Sequence, residues 1–107
     1  MKRVGQVIRV RPEKLEEYNR LHAAVWPEVL EATRERNIRN YSIFHKDGYL
    51  FAYFEYLGDD YQADMKALAA DERCQKWEDV CRACHDPLET RAEGEWWADM
   101  AGVFHCD

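Results

Sequence analysis

The chain has 107 residues, of which 47% are hydrophobic and 34% charged, and its formal net charge at pH 7 is −6. This length and composition predict one globular domain, residues 1–107, with a single modest core. The acidic balance disfavours nucleic acid and anionic membrane surfaces as partners, because binding either requires clustered Lys and Arg.

The N-terminal third predicts a strand followed by a helix in two pieces. Met1–Gln6 has no apolar core of the kind found in secretory signals, and no segment reaches the roughly 20 apolar residues of a membrane helix, so we expect a cytoplasmic protein. Val4–Val10 alternates loosely between apolar and polar residues, which indicates a strand. Pro12 opens a helix, and Pro27 interrupts it and begins a second helix that ends near Arg36.

The middle of the chain predicts a β-hairpin. Ile38–His45 and Tyr49–Tyr56 are rich in β-formers, and Lys46-Asp47-Gly48 joins them. Asp-Gly between such segments favours a tight hairpin, because both central turn positions require positive φ. The strand Tyr49–Tyr56 is apolar or aromatic on both faces, so it needs cover on both sides. The chain's own helices can cover one side, and a second subunit is the simplest cover for the other.

Two further helices and a last strand complete the predicted order. Asp60 caps a helix from Tyr61 to about Ala70, and Asp71 caps one from Glu72 to about His85. Residues 86–98 have an irregular pattern, and Met100–Cys106 predicts the final strand. The order β-α-β-β-α-β predicts the α+β class and a ferredoxin-like sandwich. Such a sheet carries helices on one face and leaves the other for dimer packing or a pocket.

Tyr18 and His22 are the first candidates for a chemical site. They lie four residues apart, so a helix places them on one face. Histidine suits acid–base catalysis near neutral pH, and a tyrosine hydroxyl can hold a substrate oxygen. The same spacing also fits ordinary helix packing. Tyr41 shares a strand face with Ile43 and His45, where cross-strand packing is an equally good explanation.

The last helix carries an apolar stripe and a motif that suggests metal or haem. The stripe consists of Cys74, Trp77, Cys81 and Cys84, which we interpret as core. Glu78 lies four residues before Arg82, a spacing that allows a surface ion pair. The run Cys81–His85 has the C-x-x-C-H spacing of c-type haem attachment, which is normally a property of exported proteins. Zinc would need a fourth ligand besides Cys81, Cys84 and His85, with His105 or Cys106 as candidates.

Trp96-Trp97 follows Gly94-Glu95 in the irregular segment. Adjacent tryptophans at such a place cap a core, contact a partner subunit or form a stacking floor for a sugar. The residues alone leave these three alternatives open.

The whole pattern resembles the L-rhamnose mutarotase family. The residues that carry the resemblance occur at matching intervals: Glu17-Tyr18, His22, Val25-Trp26-Pro27-Glu28, Asn40-Tyr41-Ser42-Ile43 and Cys74-Gln75-Lys76-Trp77. The resemblance covers nearly the full chain and is least secure over its last twenty residues. It implies a dimeric α/β barrel that acts without cofactor or metal on a monosaccharide, interconverting the α and β anomers of L-rhamnose or a related 6-deoxyhexose such as L-fucose.

The resemblance also implies roles for individual residues. His22 matches the catalytic acid, and Tyr18 and Tyr41 match residues that contact the substrate. Trp77 matches the first member of a substrate-binding Trp-Trp pair. Glu78 stands where the second tryptophan is usual, so we expect a carboxylate to face the sugar there or to lie outside the pocket.

Two rival functions remain at this stage. Ferredoxin-like dimers also host small oxygenases, including haem-degrading ones, so the fold alone does not decide the function. The second rival is a non-catalytic binding module that uses Trp96-Trp97 and the aromatic strand Tyr49–Tyr56.

Overall fold

The computed structural model describes all residues from Met1 to Asp107. Its five strands and four α-helices are β1 (Lys2–Val10), α1 (Leu15–His22), α2 (Pro27–Glu35), β2 (Ile38–Lys46), β3 (Tyr49–Tyr56), α3 (Tyr61–Ala69), α4 (Glu72–Arg82), β4 (His85–Asp86) and β5 (Ala98–Met100). A single 3₁₀ turn, Pro12–Lys14, precedes α1. No helix is both long and apolar enough to span a bilayer.

All strands belong to one antiparallel sheet. Its order is β2-β3-β1-β4, and β5 pairs with another part of β1 on the edge opposite β3. The β2–β3 hairpin is thus preceded by a strand and two helices and followed by two helices and short strands, which is the split β-α-β pattern. The predicted ferredoxin-like α+β fold is confirmed.

The C-terminal part differs from the sequence-based prediction in two places. The helix expected to reach His85 ends at Arg82, because His85 pairs with Val10 and extends the sheet. The last strand is Ala98–Met100 rather than Met100–Cys106. Ala98 is buried and anchors the strand, whereas Val103 and Phe104 are 96% and 85% exposed. Residues 101–107 therefore have no core contact in this chain that would hold them in the sheet.

The two sheet faces are used differently. In β3, Leu50, Ala52, Phe54 and Tyr56 are buried beneath the helices. Their neighbours Tyr49 and Phe51 point to the other side and are 40% and 38% exposed. Alternating burial of this kind is what the period of two residues in a strand dictates. The outer face thus has exposed aromatic side chains and is uncovered within one chain.

Two local backbone features shape the hairpin. Asp47 and Gly48 have φ of 52° and 85°, which confirms the Asp-Gly turn. Within β2, Asn40 has φ of 53°, and the pairing with β3 shifts register between Arg39 and Ser42. This bulge inserts an extra residue, and Tyr41 then stacks on Phe54 with ring centroids 5.2 Å apart, on the helix side of the sheet. The irregularity is what directs Tyr41 toward the cleft described next.

Candidate active site

A cleft of about 790 Å³ opens on the helix side of the sheet. It is bordered by the end of α1, by α2, β2 and α3, and by the length of α4, and most of its lining is hydrophobic. Four of the five residues expected at the site line it: His22, Tyr41, Trp77 and Glu78. They come from three elements that are distant in sequence, so the fold brings them together.

His22 lies in the last turn of α1 and is held by two contacts. Its Nδ1 is 2.9 Å from the carbonyl oxygen of Tyr18, and its ring stacks on the Tyr18 ring with centroids 4.1 Å apart. A carbonyl oxygen can only accept, so Nδ1 carries the hydrogen. Nε2 makes no hydrogen bond within the chain. The structure thus presents Nε2 as the ring nitrogen available to a ligand.

The protonation of His22 follows from its surroundings. Burial lowers the pKa of the imidazole below its ordinary value of 6.5, and the hydrogen bond to Tyr18 opposes that effect only in part. Trp77 packs beside the ring with centroids 5.1 Å apart and contributes to its burial. At neutral pH, His22 is therefore mainly the neutral imidazole, with a lone pair on Nε2 that can accept a proton.

Tyr41 and Trp77 form polar and apolar parts of the cleft wall. Burial, and then the nearby charge of Glu78, raise the pKa of the Tyr41 phenol. The hydroxyl consequently keeps its proton and can donate a hydrogen bond. Trp77 is 8% exposed and meets Trp26 edge-on with ring centroids 5.2 Å apart. It belongs both to the predicted core stripe and to the cleft lining.

Tyr18 is placed behind His22. It is 3% exposed and does not line the cleft. Its hydroxyl oxygen lies 3.2 Å from Nε2 of His85, and burial raises its pKa. Tyr18 therefore supports the His22 ring, and its expected contact with substrate stays a prediction.

Glu78 faces the cleft, and it also forms the ion pair expected from its spacing. Nε of Arg82 donates to a carboxylate oxygen of Glu78 over 3.3 Å, and both side chains are about half exposed. An ion pair this exposed adds little stability. Its position at the cleft gives the wall a carboxylate and a guanidinium.

Three of the four cysteines lie in the core, and Cys106 is exposed. Cys74, Cys81 and Cys84 are buried free thiols, and burial raises their pKa values, that of Cys81 to about 12. Such thiols stay protonated and are poor nucleophiles and metal ligands. No group of three His, Cys, Asp or Glu side chains has the geometry of a metal site. The C-x-x-C-H spacing thus reflects packing of α4 and the start of β4.

The residue that sequence reasoning missed is His85. It is 3% exposed, and its Nδ1 accepts a hydrogen bond from Nε1 of Trp96 over 3.0 Å. The C-x-x-C-H motif suggests a metal ligand at His85, and no spacing signal links His85 to Tyr18, 67 residues away. Trp96 and Trp97 pack against the core and lie outside the cleft, so of their three alternatives the structure shows core capping.

His85 makes the stability of the protein depend on pH. Burial first, and then the charges of His22 and Arg82, lower its pKa to about 4 from 6.5. Between these two values the unfolded chain binds more protons than the folded one, so the free energy of unfolding falls as the pH falls from 6.5 toward 4.

We predict that His85→Gln weakens this dependence, because an amide does not titrate. Between pH 7 and pH 4.5, the wild type should lose about 2 kcal/mol more than the variant. Urea unfolding at both pH values measures the difference. Equal losses in the two proteins would show that burial does not lower the pKa of His85.

The cleft and fold together define a small ferredoxin-like protein with a histidine–tyrosine site. The model of the L-rhamnose mutarotase family matches residues 3–106. The chain is 40% identical to an L-rhamnose mutarotase of Listeria monocytogenes over 79 residues, which cover 72% of this chain and 73% of the relative. It is 34% identical to the L-rhamnose mutarotase of Lactiplantibacillus plantarum, with both chains fully covered.

A solved structure agrees at the level of the fold. The L-rhamnose mutarotase of Formosa agariphila superposes with a TM-score of 0.77 at 21% identity, and all of both chains is covered. The protein belongs to the L-rhamnose mutarotase family. The predicted class of enzyme, an isomerase of the sugar mutarotase type, is confirmed by this membership.

Proposed function

We propose that this protein interconverts the α and β anomers of L-rhamnose, or of a related 6-deoxyhexose such as L-fucose, in the His22 cleft and without a cofactor. The observation that carries the proposal is the orientation of His22. Its Nδ1–H is occupied by the Tyr18 carbonyl, and its unpaired Nε2 belongs to a residue that lines the cleft. The names of the relatives indicate which sugar to expect, and the geometry identifies His22 as the acid–base group.

The reaction needs only proton transfers. In ring opening, the C1–O5 bond breaks and its electron pair goes to O5, while O1 loses its proton and becomes the carbonyl oxygen. Nε2 of neutral His22 accepts the O1 proton, and the resulting imidazolium delivers a proton to O5. One nitrogen can serve both oxygens because both are bonded to C1. Rotation about C1–C2 followed by ring closure gives the other anomer and restores His22.

The remaining residues bind and orient the sugar. The Tyr41 hydroxyl, which stays protonated, donates a hydrogen bond to a sugar oxygen. The Trp77 ring offers an apolar surface beside His22 for the C–H face of the sugar. Tyr18 takes part through His22, because it lies outside the cleft lining and its ring stacks beneath the imidazole.

The family resemblance implies a second tryptophan at the position where this chain has Glu78. Its carboxylate accepts hydrogen bonds from sugar hydroxyls, and Arg82 holds it in place over 3.3 Å. A carboxylate that binds hydroxyls, in place of an aromatic ring, favours a sugar that presents hydroxyls to this part of the cleft wall. This position therefore bears on the choice between L-rhamnose and L-fucose.

We also propose a homodimer, in which two sheets pack through their outer faces, located in the cytoplasm. Phe44, Phe51 and Val7 form one cross-strand row on that face, and Phe44 is 67% exposed. The exposed Phe104 of the C-terminal segment supplies further apolar surface. Apolar patches of this kind mark protein interfaces. Three buried free thiols suit a reducing compartment.

An oxygenase and a non-catalytic binding module are the alternatives, and family membership favours neither. They differ from a mutarotase in one observable, the rate at which anomers exchange.

The proposed function predicts faster exchange between the anomeric proton signals of L-rhamnose or L-fucose when catalytic amounts of protein are added. Saturation-transfer NMR measures this rate, and the faster sugar is the preferred substrate. His22→Gln should lower the catalysed rate on the order of 100- to 10,000-fold, because the acid–base group is lost. His45→Gln, at an exposed histidine outside the cleft, is the matched control. No acceleration by the wild type would refute the proposal.

The role of Glu78 predicts a change in binding rather than in chemistry. Glu78→Gln should raise KM about 10-fold with little change in kcat, since one charge-assisted hydrogen bond is worth roughly 1.5 kcal/mol. Glu72→Gln removes an exposed carboxylate of the same helix outside the cleft and should leave both constants unchanged. An unchanged KM in Glu78→Gln would remove Glu78 from the binding set.

The dimer predicts an effect of charge on the outer sheet face. The wild type should elute with twice the mass of the chain in size-exclusion chromatography with light scattering, and Phe44→Asp should shift it to the monomer. Val80→Asp places the same charge at a residue of α4 that is 36% exposed on the helix side of the sheet, and should remain dimeric. A monomeric wild type at micromolar concentration would contradict the proposal.

A further inference from the structure

A chain of buried polar contacts leads from the irregular segment 86–98 to the back of the cleft. Trp96 Nε1 lies 3.0 Å from Nδ1 of His85, and Nε2 of His85 lies 3.2 Å from the Tyr18 hydroxyl. The Tyr18 ring in turn stacks on His22. Tyr18 and His22 are neighbours on one helix, but His85 is 67 residues from Tyr18, so this series of contacts exists only in the folded protein.

The direction of each hydrogen bond follows from the donors. An indole N–H can only donate, so Nδ1 of His85 must accept from Trp96 and carries no hydrogen. Neutral His85 then has its hydrogen on Nε2 and donates to the Tyr18 oxygen. His85 is thereby fixed in one tautomer by Trp96, and Tyr18 is fixed by His85.

Two further contacts lie beside these hydrogen bonds. Trp97 meets the His85 ring edge-on, with centroids 5.4 Å apart and no hydrogen bond between them. The Arg82 guanidinium lies over the Trp96 ring, 4.8 Å from its centroid, and Arg82 also binds Glu78 of the cleft wall. Arg82, which lines the cleft, thus packs on the face of the Trp96 ring, and the buried His85 accepts the hydrogen bond from its N–H.

We infer that His85 is a positioning residue of the active site, which, with Trp96, fixes the Tyr18 ring and so the direction of His22 Nε2. The inference rests on the proposed function, because it assigns His85 a part in the His22 chemistry. Its burial, with a low pKa, keeps the imidazole neutral at neutral pH, so the hydrogen-bond directions persist. A misdirected acid–base group loses rate more than affinity, because the geometry of proton transfer is demanding.

The adjacent tryptophans give a matched pair of variants. Trp96→Phe removes the N–H that fixes His85. Trp97→Phe makes the same reduction in ring size at a residue that makes no hydrogen bond to His85. Both tryptophans pack against the same core cluster, so the variants lose similar packing. We expect Trp96→Phe to lower kcat for anomer exchange about 10-fold with KM within about twofold of wild type. Trp97→Phe should keep wild-type kcat.

Variants at position 85 provide a second comparison. Gln keeps an amide that can donate to Tyr18 and accept from Trp96, whereas Leu keeps the approximate volume without either bond. His85→Gln should retain most of kcat, and His85→Leu should match Trp96→Phe. Equal loss in Trp96→Phe and Trp97→Phe, or full activity in Trp96→Phe, would overturn the inference.

A spectroscopic readout separates this inference from the proposed function. Long-range ¹H–¹⁵N spectra identify histidine tautomers, and wild-type His85 should be the Nε2–H form, with a mixture of tautomers in Trp96→Phe. A wild-type His85 in the Nδ1–H form would refute the positioning chain whatever the substrate. If the tautomers are as expected but the wild type accelerates neither L-rhamnose nor L-fucose exchange, the proposed function fails and the chain of contacts stands.

Discussion

The hydrogen bond from Nδ1 of His22 to the Tyr18 carbonyl determines what the cleft can do. It joins two residues one helical turn apart and selects the tautomer of His22. The Tyr18 ring beneath it is buried and bound to His85 from another part of the chain. The reactive nitrogen is therefore oriented by local helix geometry on one side and by the core on the other. Acid–base catalysis gains from such fixed orientation, because little reorganisation remains at the moment of proton transfer.

Most of the fold could be predicted because its signals are local. Pro12 and Pro27 mark the starts of helical segments, and Asp47-Gly48 marks the hairpin. The prediction was wrong at the C-terminal end, where pairing with β1 ends α4 early and where residues 101–107 form no strand. Both depend on contacts distant in sequence, and strand pairing of that kind leaves no periodic pattern to detect.

The site was predictable to the extent that the family resemblance named its residues. Spacing alone paired Tyr18 with His22 but could not say that one is buried behind the other. The bulge at Asn40 that directs Tyr41 into the cleft has no clear sequence signal, since Asn tolerates positive φ but does not require it. His85 illustrates the limit best, because its function in the fold rests on Tyr18 and Trp96, and neither spacing implies a contact.

The most direct test of this account is a ¹⁵N NMR titration of the His22 imidazole in the wild-type protein. We expect the Nδ1–H tautomer at neutral pH and a pKa below 6.5, which leaves Nε2 free to accept the sugar proton. A His22 in the Nε2–H tautomer, or one with a pKa above 6.5, would contradict it, because the ring would then present a hydrogen rather than a lone pair to the cleft.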